Sequence, residues 1–216
     1  MKVKIKIPSS LNDITLQQYK RYMKIQEKVK DDRFLNAKMI EIFCGVDLKD
    51  VMHLQLRDSE EIVEIITALF DKKPELVKRF KLNGIEYGFQ PQLDEITLGE
   101  YIDLDTFIGD WENMEKAMNV LYRPILVNVK DRYSIEEYRV ETDQQIIDMP
   151  MDAVMSSIFF LWNLGLDLSK NMTNYLEVAE TKTLTHFLSS QKNGGGINQF
   201  TDSLKEILED LKILPN

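Results

Sequence analysis

A nine-residue phrase occurs twice in this chain, as LNDITLQQY at 11–19 and as LDEITLGEY at 93–101. In both copies a threonine is followed three residues later by glutamine or glutamate. Such a pair forms a capping box: the hydroxyl accepts from the third helical N–H, and the third side chain accepts from the N–H of the threonine. Apolar or aromatic residues one before and four after the threonine add a hydrophobic staple. The phrase therefore predicts that helices begin after Thr15 and after Thr97.

A shortened third copy, SIEEY at 134–138, has the same spacing of Ser134 and Glu137 and predicts a third capped helix. Upstream of the first two copies, apolar residues lead into Pro8 and into Pro91. A strand is expected to stop at each of them, because proline cannot donate to a ladder. The repeated unit is therefore predicted to be a strand, a proline turn and a capped helix.

Three segments carry strand patterns. Residues 2–7 alternate charged and apolar side chains, which is typical of a half-buried strand. Residues 79–89 hold Asn83-Gly84 between two alternating runs, the pattern of a hairpin with a two-residue type I′ turn. Residues 125–129 are strand-like as well. Because an isolated hairpin is marginally stable in water, we expect the N-terminal strand to pair with it.

The rest of the chain has helical periodicity, and Gly45, Pro124 and Gly165 are expected to end helices. Asp58, with Glu61 three residues later, is expected to cap another helix. The predicted helices cover residues 16–29, 34–44, 58–70, 98–108, 111–122, 149–164, 168–178, 181–189 and 200–211. The predicted fold is mainly α with a small antiparallel β-sheet (α+β), a helical bundle with a duplicated strand-turn-capped-helix unit.

Three regions are predicted along the chain. Residues 1–79 hold the first repeat unit, and residues 80–192 hold the second unit with the hairpin and a helical core packed against the first. Within that core, 149–164 is apolar nearly all round and should lie at the centre. Residues 193–216 form an amphipathic helix behind the glycine hinge 194–196.

That last helix carries its apolar residues on one face. It could pack on its own chain, which we favour, or reach into a neighbouring subunit as exchanged elements do. These residues are candidates for partner binding: Phe200, Leu204, Ile207, Leu208 and Leu211.

Charge is distributed unevenly along the chain, whose formal net charge is −9. The segment 94–115 has many acidic residues and no basic one, and its field would repel nucleic acid. It is either a solvated helix face, which we favour, or a surface for head-to-tail attraction between copies or for a basic partner. The acidic candidates for partner binding are Asp103, Asp105, Asp110, Glu112 and Glu115. The basic side chains at 20–30 are interpreted as a solvated face rather than a nucleic-acid site.

No residue pattern in the chain is typical of catalysis. His53 and His186 lack partners at metal-ligand spacing, and the glycines at 194–196 lack the lysine and hydroxyl of a phosphate loop. Cys44 lies in an apolar run and is expected to be a small buried hydrophobe. We therefore predict a non-enzymatic protein with no cofactor, no metal site and no catalytic residue.

The membrane is not expected to be a partner either. The longest uninterrupted apolar stretch, 158–162, is far shorter than the roughly 20 residues of a membrane span. The N-terminal residues alternate charged and apolar side chains and so lack the apolar core of a secretory signal. The protein is expected to stay in the cytoplasm in which it is made.

Three stretches together resemble a known group of proteins: LDEITLGEYIDLD at 93–105, AMNVLYRPI at 117–125, and MPMDAVM at 149–155 running on to FFLWNLG at 159–165. The chain resembles, over roughly residues 9–178, proteins from the virion-gene clusters of tailed bacteriophages, notably crAss-like phages and related phages of Bacteroidetes. The resemblance implies a component of the neck, tail or baseplate. It also implies other phage virion or assembly proteins as partners, a possible homo-oligomer, and a place in the virion after assembly in the host cytoplasm.

Three functions therefore remain open. The leading hypothesis is a non-enzymatic virion structural component that acts through protein–protein contacts. The first alternative is a tail assembly chaperone that is absent from the mature particle. The second is an acidic cytoplasmic adaptor or regulator that binds a host protein.

Overall fold

The computed structural model describes residues 5–130, 132–140, 144–178 and 196–210, and within them the fold is mainly helical with one small sheet, which confirms the predicted α+β class. The helices are α1 (Leu16–Gln26), α2 (Asp32–Cys44), α3 (Leu48–Val51), α4 (Leu56–Phe70), α5 (Leu98–Phe107), α6 (Met114–Leu121), α7 (Met151–Val178) and α8 (Gly196–Asp210). The strands are β1 (Arg79–Leu82), β2 (Ile85–Phe89), β3 (Tyr122–Val129) and β4 (Arg132–Ile135).

The two full copies of the phrase begin their helices in the same way. A short 3-10 turn, Leu11–Asp13 or Leu93–Glu95, precedes the cap in each copy. The Gln18 N–H donates to the Thr15 hydroxyl at 3.2 Å, and the Thr15 N–H donates to the Gln18 side chain at 2.9 Å. The second copy repeats both bonds, at 3.2 and 2.8 Å. Both predicted capping boxes are confirmed.

The sheet is built around the predicted hairpin of β1 and β2, which is confirmed. Asn83 and Gly84 have φ angles of 50° and 84°, the positive values that a type I′ turn requires at both positions. The strand order is β1-β2-β3-β4, and each neighbouring pair is antiparallel. The helices of the second copy, α5 and α6, lie between β2 and β3 in the chain. They therefore form the connection between two paired strands of the sheet.

The prediction of an N-terminal strand at residues 2–7 is wrong for its described part, residues 5–7. Residues 5–7 are outside any strand, and residues 1–4 lie outside the described residues. The strand that stabilises the hairpin is β3 instead, with Phe89 paired to Tyr122. The alternating pattern at 2–7 resembles an edge strand, but the longer β3 takes the pairing position on β2. Within the described residues, the strand predicted before each copy is therefore present only before the second.

The third predicted capped helix, at 134–138, is also wrong. Ser134 belongs to β4, where it is paired with Val127. The neighbouring Tyr133 hydroxyl donates to the Phe89 carbonyl at 2.6 Å, and its ring lies 4.5 Å from the Arg79 guanidinium. A helix cap stabilises by only about 1 kcal/mol, so strand pairing and these long-range contacts outweigh it.

Several element boundaries differ from the predictions. The helix α4 begins with Gln55 at its N-cap, which places Asp58 in the first turn rather than at the cap. The helix α6 ends at Leu121 ahead of Pro124, as expected, but Pro124 lies within β3. The helix α7 continues through Gly165, which is buried, because a glycine inside a helix costs only about 1 kcal/mol and does not by itself end it. The predicted helix at 181–189 lies outside the described residues.

The first half of α7 forms the centre of the core, as predicted. Its residues 153–158 are fully buried together with Met151. Backbone bonds tie this helix start to the first copy of the phrase: the Met151 N–H donates to the Ile14 carbonyl at 2.8 Å. The segment Met151–Leu168 has the length and hydropathy of a membrane span, yet half of it is buried inside the fold, as expected of a core helix.

The C-terminal helix α8 packs against α7 of its own chain. Leu204, Ile207 and Leu208 are buried there, and Phe200 is half-buried. The fifth candidate on this face, Leu211, lies outside the described residues, as do the hinge positions 194 and 195. Within one chain, the apolar face of α8 is therefore part of the hydrophobic core rather than a free arm.

Replacing Gly88 with alanine should lower the free energy of unfolding by about 1–3 kcal/mol, because the added methyl group overpacks the sheet. A Cβ at this position would lie 2.9 Å from Cδ2 of Tyr133 and 3.0 Å from Cγ1 of Ile125. The matched control is Gly99→Ala in α5, where a Cβ meets nothing within 4 Å and a gain of about 0.5–1 kcal/mol is expected. Urea denaturation of the two variants measures both changes, and equal stabilities would contradict the contact.

Candidate interaction surface on the second repeat

The two copies of the phrase bury opposite faces of their helices. In α1, Leu16 is 0% exposed, Tyr19 is 5% exposed and Lys20 is 8% exposed. The corresponding residues of α5 lie at the surface: Leu98 is 75% exposed, Tyr101 is 37% exposed and Ile102 is 52% exposed. We call these three residues the α5 stripe. At these three positions the first copy is thus covered by the core, whereas the second copy is exposed to solvent.

A buried ion pair accounts for which face of α5 turns inward. Glu100 lies 2.9 Å from the Arg123 guanidinium of β3, and both side chains are more than nine-tenths buried. The other carboxylate oxygen of Glu100 accepts from the Thr97 N–H and hydroxyl, both at 2.8 Å. Burial lowers the pKa of Arg123, while the adjacent Glu100 carboxylate raises it. The face of α5 that carries Glu100 and the buried Leu104 is therefore the one turned toward the rest of the fold.

A second polar contact supports this orientation. The Tyr138 hydroxyl donates to the Asp103 carboxylate at 2.7 Å. Burial raises the pKa of the Tyr138 phenol, and the hydrogen bond to Asp103 raises it further, so the phenol remains a donor at neutral pH. Asp103 was a sequence candidate for partner binding. In the structure it instead binds Tyr138 and so links α5 to the segment that follows β4.

The α5 stripe has an acidic border. Asp94 and Glu95 are exposed just before the helix, and the partly exposed Asp105 follows Ile102 by about one turn. The Tyr101 ring lies 6.4 Å from the Phe200 ring of α8, measured between centroids. Leu98 and Ile102 are thus the most exposed apolar residues of a stripe with carboxylates at both ends and with α8 beside Tyr101.

The other acidic candidates are used within the chain. Asp110 caps the 3-10 turn Trp111–Asn113 by accepting from the Glu112 N–H at 2.8 Å. Glu112 pairs with Lys24 at 2.9 Å, and Glu115 forms an ion pair with Lys20. The acidic segment and the basic first helix therefore neutralise each other in part inside one molecule, which leaves less charge for attraction between separate copies. In the part of the chain that the structure describes, the side chain of Asp105 has neither a hydrogen bond nor an ion pair.

A groove of about 730 Å³ runs along α1, and we call it the α1 groove. It is lined by Gln17, Gln18, Lys20, Arg21, Lys24, Ile25, Lys28, Val29 and Ile147. Arg21 and Lys24 pair with Glu41 and Glu112, but more than half of each cationic side chain remains exposed. Hydrogen bonding to Glu112 raises the pKa of Lys24. Among the described residues, exposed Lys28 has no ion-pair partner, so the groove combines partly buried apolar side chains with a basic rim.

The outer half of β3 forms a second exposed surface, the β3–β4 ribbon. Residues 122–124 of β3 pair with β2, whereas residues 125–129 pair only with β4. The ribbon therefore extends past the sheet, with a register shift between Ile125 and Val127. Its exposed apolar side chains are Leu126, Val127 and Val129.

A polar pocket of about 530 Å³ lies beside the Glu100–Arg123 pair. The buried Nε of Arg123 has no hydrogen-bond partner within the described ranges, but the guanidinium is already compensated by Glu100. No group of three or more His, Cys, Asp and Glu side chains that could hold a metal ion is found in the described part of the chain. Of the two histidines considered in the sequence, His186 lies outside that part.

The thiol of Cys44 should react slowly with iodoacetamide at neutral pH. Burial raises the pKa of this half-buried thiol to about 11, so the reactive thiolate is scarce. Adding denaturant should bring alkylation to the rate of a free cysteine, as followed by intact mass. Rapid alkylation of the folded protein would show that Cys44 is more accessible than its packing indicates.

The α5 stripe was not among the residues that the sequence singled out. A signal was present, since α5 and the residue after it carry apolar side chains on nearly all sides: Leu98, Tyr101, Ile102, Leu104, Phe107 and Ile108. A helix of this kind has more apolar surface than one core-facing stripe can bury. The repeated phrase concealed this, because its apolar residues were all explained by helix capping and core packing.

Comparison of the chain with protein-family models, with curated proteins and with solved structures found no match in any of the three.

Proposed function

We propose that this chain is a non-enzymatic structural component of a tailed-bacteriophage virion, in the neck, tail or baseplate region, and that it acts through protein–protein contacts. The observation that carries the proposal is the α5 stripe. The same Leu and Tyr positions that form core in α1 are exposed in α5. Exposed apolar patches with polar borders are typical of interaction sites.

Two further features support the proposal. The β3–β4 ribbon places exposed apolar side chains on a projecting pair of strands, where they can contact another protein. The stretch 93–105, which resembles proteins of phage virion-gene clusters, contains the whole of the α5 stripe. The resemblance therefore includes the surface that the fold leaves exposed.

Mass spectrometry of purified particles tests this proposal. The expected result is that the protein is found in mature virions, at a copy number that remains constant through repeated density-gradient purification. A phage replication protein serves as the control for carry-over from the lysate. If the protein is abundant in infected cells but absent from particles, the structural role is excluded and the assembly chaperone is favoured.

The adaptor alternative makes a different prediction. An acidic regulator of a host factor would be a stable monomer that binds one host protein. Affinity purification from infected cells distinguishes the two, since a virion component should recover other virion proteins and an adaptor should recover a host protein in their place.

A further inference from the structure

We infer that the α5 stripe of one copy docks into the α1 groove of a second copy, so that molecules of this protein associate head to tail. The inference deepens the proposed function, on which it rests for the setting in which the copies assemble. It concerns a contact between copies of this chain and is tested on the purified protein alone.

The apolar parts of the two surfaces are complementary. Leu98 and Ile102 project from a helix and are more than half exposed. The α1 groove offers three partly buried apolar side chains, Ile25, Val29 and Ile147, within about 730 Å³. This volume is in the range of sites that bury a compact group of apolar atoms. A ridge of large side chains thus has a matching recess on the same molecule.

The charges around the two surfaces identify the occupant. Asp94, Glu95 and Asp105 border the stripe. The groove is bordered by Lys28, which has no ion-pair partner among the described residues, and by Arg21 and Lys24, which remain more than half exposed although each pairs with a carboxylate of its own chain. Two stripes placed face to face would bring carboxylates together, and two grooves would bring cations together. Like charges that are brought together at an interface disfavour that pairing. Only the stripe of one copy against the groove of another joins opposite charges.

The stripe is prevented from entering the groove of its own chain. The buried Glu100–Arg123 pair holds α5 on the sheet, and the ion pair of Lys20 with Glu115 holds α1 on α6. Both helices are therefore fixed within one rigid arrangement, each with its free surface facing outward. The contact has to form between molecules.

A contact between two different surfaces can add one molecule after another. After docking, each copy still has one free stripe or one free groove, so association continues until the molecules close into a ring or form a filament. A symmetric contact through one surface would stop at a dimer. Repeated head-to-tail contact is the kind of association that a ring-shaped layer of a particle requires.

Two charge-changing variants of the full chain test the inference: Ile102→Glu in the stripe, and the double change Lys24→Glu with Lys28→Glu in the groove. All three positions lie at the surface, so the fold should survive, which circular dichroism checks. Multi-angle light scattering and sedimentation velocity should show association of the parent protein that weakens with salt. Each variant alone should associate at least about 30-fold more weakly, the effect of losing one central contact.

Mixing the two variants is the decisive measurement. The groove is intact in the first variant and the stripe is intact in the second, so an equimolar mixture has one functional interface. The expected product is a one-to-one dimer that does not grow further. Val127→Glu in the β3–β4 ribbon is the matched control, and it should associate like the parent protein.

Several outcomes would overturn the inference. They are a parent protein that remains monomeric at 100 μM and low salt, a mixture that gives no dimer, or association that the stripe variant loses while the groove variant keeps it unchanged. The last result would indicate a symmetric contact. If the protein is found in virions but does not self-associate, the inference fails and the proposed function stands. If it self-associates but is absent from virions, the reverse holds.

Discussion

Replacing Glu100 with glutamine is expected to lower the free energy of unfolding by about 3–5 kcal/mol, because it leaves the Arg123 charge buried without a partner. The capping box itself should survive the change. In the first copy of the phrase, Gln18 forms the same two cap bonds that Glu100 forms in the second. The loss therefore measures the buried charge rather than the helix start. Urea denaturation at pH 7, with tryptophan fluorescence as the probe, gives the value.

Two further variants separate the effects of charge and cap. Thr15→Ala removes the cap hydroxyl without leaving a buried charge unpaired and should cost only about 1 kcal/mol. Adding Arg123→Met to Glu100→Gln should recover most of the loss, because an apolar side chain of similar length replaces the unpaired cation. A loss below about 1 kcal/mol for Glu100→Gln would show that water reaches the guanidinium, and the ion pair would then no longer account for the orientation of α5.

Truncation at the matched leucines of the two copies should give very different results. Leu16→Ala is expected to lower the free energy of unfolding by about 2–5 kcal/mol, because it leaves a cavity in a fully buried site. Leu98→Ala should change stability by no more than about 0.5 kcal/mol, because the side chain is 75% exposed. Chemical denaturation at a protein concentration low enough to prevent self-association measures both.

The same pair of variants also tests the exposure of the α5 stripe. If Leu98→Ala destabilises the monomer as much as Leu16→Ala does, another part of the chain covers the stripe, and an interface there is excluded. If only Leu16→Ala is destabilising, Leu98→Ala becomes a well-folded variant whose loss of association can be interpreted without reference to folding.

Local structure could be predicted from the sequence where residues close together in the chain determine it. The caps at Thr15 and Thr97 need only residues within one turn of a helix, and the hairpin needs only the backbone preferences of Asn83 and Gly84. Both predictions are confirmed. Ser134 has the same cap spacing and fails, because Tyr133 and the ladder to β3 hold that segment extended.

The orientation of α5 could not be predicted in the same way. In the sequence Glu100 is recognisable only as a capping residue, and its partner Arg123 arrives on a strand that follows a whole helix. Which face of α5 is buried depends on that long-range pair rather than on the phrase itself. Similarly, the pairing of Glu112 and Glu115 with α1 depends on how distant segments meet, so the acidic run could be noticed in the sequence but its use could not.

The continuity of β3 gives the projecting ribbon a mechanical connection to the centre of the protein. Five residues of β3, about 17 Å of extended chain, lie beyond its pairing with β2. At the other end of the strand, the Tyr122 hydroxyl donates to the Val77 carbonyl at 2.7 Å, and the Ala153 carbonyl of α7 lies 3.2 Å away. A pull applied at the tip of the ribbon is therefore transmitted along one covalent strand to the start of the central helix, so that tension on the surface is resisted by the core.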